Sequence, residues 1–138
     1  MKSFYFNYLF AFGLIIRLIF IFILIPDPVD LWFGPFLESS VALFNVDPWR
    51  LWLESGGSSM AFPYGYAMWI IFIPFIFIFN LLSLPTIAGY HLTILFADFI
   101  LLCTLLKLAP KREKLLLFSY WLSPVVILAT YGFGYNDI

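Results

Sequence analysis

Apolar residues fall along this chain in four long runs, separated by stretches where polar and charged residues collect. The runs are Phe4 to Ile25, Ala67 to Leu84, Ile87 to Leu108 and Leu115 to Tyr131. At about 1.5 Å rise per residue, each comes near the ~30 Å needed to cross hydrocarbon. A helix is the open segment that satisfies its own backbone polar groups there. The pattern predicts an all-α, polytopic transmembrane protein with three to four apolar helices, at about residues 4–25, 67–84, 87–108 and 115–131. It reads as one transmembrane module over residues 1–138. The second run is interrupted by Pro74 and Asn80. Pro74 removes a helix hydrogen bond and kinks its helix, so a bent or re-entrant second segment is expected beside a full span.

Between the first two runs lies a long polar and aromatic loop, residues 26–65. It carries Asp27, Asp30, Glu38, Asp47 and Glu54, together with Trp32, Trp49 and Trp52. The stretch Gly34 to Phe44 predicts a short helix at the membrane surface, and Ser55-Gly-Gly-Ser-Ser59 a flexible break. A loop of this length is usually functional or disordered, and its aromatic content argues for order. Indole rings favour the headgroup level of a bilayer.

Composition strengthens the membrane reading. Hydrophobic residues make up 64% of the chain and charged residues 11%, against roughly 25% charged in a soluble domain. The mean hydropathy is +1.02. Such a chain cannot cover itself with polar surface. The formal net charge of −1, with seven basic residues, gives no electrostatic footprint for nucleic acid. Cys103 and His91 each stand alone of their kind. That excludes a disulfide framework, a cysteine zinc site and a histidine-cluster metal site. The first run spans a full bilayer and contains Arg17, and no small-x-small cleavage site follows it, so it reads as a retained signal-anchor helix.

Charge placement suggests a topology. Lys107, Lys111, Arg112 and Lys114 are four of the seven basic residues, and the positive-inside rule puts their link in the cytoplasm. Arg17 and Asp98 each sit within an apolar run, where an unpaired charge costs several kcal/mol. With the N-terminus inside, Arg17 lies roughly 12 Å and Asp98 roughly 15–17 Å below the outer ends of their helices. They are natural partners, and this arrangement puts the acidic loop outside; with a fully spanning second segment the N-terminus lies outside, the loop inside and Arg17 at roughly 20 Å, a slightly poorer match.

Candidate chemistry gathers in that loop. Asp27 and Asp30 follow the first helix directly, in Ile25-Pro-Asp-Pro-Val-Asp30. A carboxylate at the membrane surface can act as general base toward a hydroxyl or bind a cation; an ordinary solvated loop would carry the same residues. Phe62-Pro-Tyr-Gly-Tyr66 opens the second run and presents Tyr64. Tyr131-Gly-Phe-Gly-Tyr-Asn-Asp137 puts Asn136 and Asp137 at a membrane boundary, as a helix cap also would. His91 lies near the outer end of the third run, within reach of a phosphate or in a structural role. Arg17 reads as structural glue with Asp98, or as lining a lipid-phosphate pocket.

The order of these pieces resembles the N-terminal module of the GT-C superfamily of membrane glycosyltransferases, most closely its mannosyltransferase-like members and their bacterial relatives. The similar features are the Arg-containing first helix, the outer loop with Asp27 and Asp30, and the Phe62-Pro63-Tyr64-Gly65 helix start. They continue with the mid-helix acid in Leu95-Phe-Ala-Asp98, the basic Lys111-Arg112-Glu113-Lys114 link, and Ser123-Pro124 through Gly134-Tyr-Asn-Asp137. The likeness covers nearly the whole chain, and it lies in order and spacing rather than in any single motif.

The resemblance implies transfer of a hexose, mannose-like, from a polyprenyl-phosphate donor to a glycan or lipid acceptor on the outer face of a bacterial cell membrane. It implies Asp30 as catalytic base with Asp27 next, and an active-site role for Asn136 and Asp137; Tyr64, His91 and Arg17 join them as candidate substrate-binding residues. It calls for no certain cofactor and leaves room for a divalent cation. Members of the superfamily are several times longer, so the chain reads as an N-terminal portion that alone is expected to be inactive. A transporter or flippase segment for lipid-linked sugars is a second reading, and a non-catalytic membrane scaffold a third.

Overall fold

The computed structural model describes residues 7–42 and 46–134. Among these residues the chain is helical, with no strand. It divides into two compact units, one formed by residues 1–24 and 94–138 and the other by residues 25–93.

The first unit begins with α1 (Tyr8–Ile23), whose Asn7 cap accepts the Leu9 amide at 3.0 Å. Asn7 also donates to Glu113 Oε1 at 3.2 Å. Helix α1 buries Phe10, Gly13 and Arg17, a spacing that puts all three on one face. Phe10 stacks on Trp121 with ring centroids 5.2 Å apart, and the indole N–H donates to the Phe10 carbonyl at 2.9 Å. Gly13 permits this closeness, because a Cβ there would overlap the Trp121 ring. Leu102 and Leu117 complete the apolar centre.

The fourth apolar run departs from the single helix expected over 115–131. A 3₁₀ turn (Pro110–Arg112), α6 (Glu113–Leu116) and a π-helical turn (Leu117–Trp121) are followed by a break. Helix α7 (Pro124–Ile127) and a second π-helical turn (Leu128–Gly132) then run on, and the two halves are bent by 47°. Pro124 is the cause. It has no N–H to donate and forces the residue before it out of helical geometry. Ser123 accordingly sits at φ −62°, ψ 118° and caps the new helix.

In the second unit the acidic stretch is largely helical, where a loop with one short helix over Gly34 to Phe44 was expected. A π-helical turn (Val29–Phe33) leads into α2 (Gly34–Ala42), and α3 (Pro48–Glu54) follows. Val29, Phe33, Phe36, Leu37 and Val41 are buried, and α2 packs on α4 (Gly65–Leu81). The aromatic rings form the core: Phe36 stacks on Phe62 at 5.1 Å and Phe72 on Tyr90 at 4.8 Å. Three indole N–H groups are satisfied inside the unit. Trp49 donates to the Phe62 carbonyl, Trp52 to the Ser58 carbonyl and Trp69 to the Ser40 hydroxyl. Trp49 and Trp52 thus serve the fold, whereas Trp32 is exposed.

Helix α4 carries Pro74 and ends in a turn where Ser83 takes φ 54° and the Leu84 amide reaches back to the Phe79 carbonyl at 2.8 Å. Helix α5 (Thr86–Leu108) starts two residues later. Among the described residues α5 is long and apolar enough to cross a membrane, and the bent pair in 110–132 is a second such segment if it counts as one. Only 28% of the most apolar window of α5 is buried. Helices α1 and α4, of 16 and 17 residues, are shorter than a typical crossing.

Candidate functional site

The acidic stretch becomes a wall of a cleft through local backbone chemistry. Pro26 follows α1 by three residues, and its carbonyl accepts the amides of Val29 and Asp30 at 2.9 and 3.0 Å. This starts a new helical turn with Asp30 in its first position after Val29. Asp30, Gly34 and Glu38 then follow at intervals of four and come to one face. Gly34 is needed between them: a Cβ would approach the Val29 carbonyl to 2.8 Å.

Opposite this face lie the end of α4 and the start of α5. The cleft has a volume of about 690 Å³ and is lined by Asp30, Gly34, Glu38, Asn80, Ser83 and Thr86, with Pro35, Leu84, Pro85 and Ile87. That size suits a small polar ligand. Among the described residues no cation lies within ion-pair distance of Asp27, Asp30 or Glu38. The other two acids of the stretch are engaged: Asp47 caps α3 and Glu54 faces Arg50 at 3.8 Å. The carboxylates of the cleft are therefore available to accept hydrogen bonds from hydroxyl groups. Asn80, Ser83 and the first-turn amides of α5 add donors on the other side.

The remaining expected residues are placed elsewhere. Asp27 is exposed between Pro26 and Pro28 and is not part of the cleft lining. Tyr64 packs edge-on against Phe33 and Phe62, with centroids 5.7 and 5.4 Å away. His91 is buried at 2% exposure, and among the described residues neither of its ring nitrogens has a hydrogen-bond partner. Asn136 and Asp137 lie outside the described residues. The cleft instead recruits Glu38, Asn80, Ser83 and Thr86. The interval of four from Asp30 through Gly34 to Glu38 was the available signal for Glu38, and a polar Asn80 inside an apolar run was the signal for the opposite wall.

Arg17 belongs to a buried network in the first unit. Its Nε donates to Asp98 Oδ2 at 2.6 Å, and Nη1 donates to the carbonyls of Gly13 and Trp121 at 3.2 and 2.5 Å. The guanidinium lies 3.7 Å from the Trp121 ring centroid. Asp98 also accepts from the Tyr131 hydroxyl at 3.0 Å and from the Tyr120 hydroxyl. Arg17 is fully buried. Its chemistry is that of a charge held in place: a desolvated ion pair whose lone pairs are nearly used up.

Among the described residues no group of three or more His, Cys, Asp or Glu side chains could hold a metal ion. Comparison with protein-family models, with curated proteins and with solved structures finds no match to this chain.

Proposed function

We propose that the chain is a multi-pass module of a bacterial cell membrane. Its role is in transferring a hexose, mannose-like, from a polyprenyl-phosphate donor to a hydroxyl-bearing glycan or lipid acceptor, in the manner of the GT-C glycosyltransferases its sequence resembles. One observation carries the reading: among the described residues Asp30 has no cation within ion-pair distance, and it stands on the wall of a polar cleft of about 690 Å³, where a hydroxyl ligand can reach its carboxylate. In the proposed step Asp30 takes the proton of the acceptor hydroxyl as its oxygen bonds to the anomeric carbon. The bond from that carbon to the phosphate oxygen breaks, and the polyprenyl phosphate leaves with inversion. Glu38, Asn80 and Ser83 orient the acceptor by hydrogen bonds. Membrane residence rests on the apolar α5 and the low charge of the chain.

The test uses membranes from cells producing the protein, incubated with tritiated polyprenyl-phosphate mannose and an alkyl mannoside acceptor. Asp30→Asn is expected to lower transfer by about 100-fold or more, the usual contribution of a general base. Transfer undiminished by the substitution in the full-length protein overturns the proposal. One feature favours a second reading, a flippase segment for lipid-linked sugars: the broken pair of helices in 110–132 beside a buried ion pair is a combination transporters use. Movement of the labelled lipid between leaflets without formation of a glycosidic bond would identify that activity.

A further inference from the structure

The turn that follows α5 holds a second concavity, in which basic rather than acidic side chains predominate. It has a volume of about 560 Å³ and is lined by Pro110, Lys111, Arg112, Glu113, Lys114 and Leu115. Among the described residues no carboxylate lies within ion-pair distance of Lys111, Arg112 or Lys114. The one acid in the lining, Glu113, accepts from the Asn7 amide. Three uncompensated cations thus converge on one hollow, with Lys107 one helical turn earlier. Apolar side chains border them: Leu108 is 77%, Leu115 58% and Phe118 69% exposed.

We infer that this turn is a binding site for the phosphate headgroup of an anionic phospholipid. The cations match the charge of a phosphodiester, with Arg112 able to fork onto two of its oxygens. The exposed Leu108, Leu115 and Phe118 favour a lipid over a free phosphate, because a soluble anion has nothing to cover them whereas acyl chains do. A basic cluster directly after an apolar helix also sits where headgroups are found. The inference rests on the membrane residence proposed above, and not on the glycosyl-transfer reading.

The experiment is flotation of the purified chain with vesicles, followed by measurement of retained lipids in mixed nanodiscs by native mass spectrometry. The chain is expected to float with neutral phosphatidylcholine vesicles. In nanodiscs of phosphatidylcholine and phosphatidylglycerol it is expected to retain the anionic lipid preferentially. Lys111→Gln, Arg112→Gln and Lys114→Gln should each reduce that preference by about fivefold, the equivalent of about 1 kcal/mol per basic residue near the surface. Raising the salt should weaken the preference of the unaltered chain, a readout that needs no variant to fold. Failure to float with neutral vesicles overturns membrane residence itself. Flotation without anionic preference, a preference insensitive to the three variants, or equal displacement by inorganic phosphate would overturn the lipid site alone.

Discussion

Asp98 and Asp30 have the same side chain and opposite surroundings. Asp98 is buried and accepts from one guanidinium and two tyrosine hydroxyls. Asp30 is exposed on a cleft wall with no cation in reach among the described residues. In the first unit the surroundings consume the lone pairs of the carboxylate and turn it into a fastener. In the second they leave those lone pairs open toward a cavity that can admit a ligand. The cleft therefore holds the candidate chemistry, and the buried pair holds the helices that frame its own unit.

The sharpest way to break this contrast is to remove one partner of the fastener. Arg17→Ala should destabilise the protein by about 3–5 kcal/mol, because it strands a buried carboxylate; a fall in thermal midpoint in detergent reads it. Replacing both charges, as Arg17→Met with Asp98→Leu, should recover most of the loss. Asp30→Asn should do the reverse: lose transfer activity by about 100-fold while unfolding within about 0.5 kcal/mol of the unaltered protein. A stability loss as large as that of Arg17→Ala would erase the distinction. Gly13→Ala tests the scaffold at another point. Its methyl group must displace the Trp121 ring, an overpacking that typically costs about 1–3 kcal/mol. Smallest is Tyr131→Phe, which removes one of the three donors to Asp98 and should cost about 1 kcal/mol. The same substitution at a tyrosine without such a bond should be silent in the same melt.

How much of this was legible beforehand depended on whether an interaction is local. Arg17 and Asp98 could be paired from their depths in two apolar runs, because a charge in such a run has few alternatives. The short helix near Gly34 was readable, since Gly34-Pro35 opens it and the apolar positions repeat at helical intervals. The helical character of the rest of that stretch was hidden, because tertiary packing of its aromatic rings, not backbone propensity, supplies the order. Asp30 could be picked out by its place after Pro26 and Pro28. Asn80 stood out as a polar residue in an apolar run, but that it and Ser83 face Asp30 could not be read, because only the packing of α2 on α4 brings residues some fifty positions apart to one cavity. The break in the fourth run was announced by Ser123-Pro124 yet read through, since a proline in an apolar run can also sit in a merely kinked helix.

That break reaches into the centre of the first unit. In an unbroken helix the carbonyl of Trp121 would be taken by the amide of Val125, four residues on. Because Pro124 restarts the helix one residue earlier, that oxygen is released, and Arg17 Nη1 occupies it at 2.5 Å. The interruption works as a socket: a gap in one helix's ladder supplies the ligand that lets a neighbouring helix keep a guanidinium away from solvent.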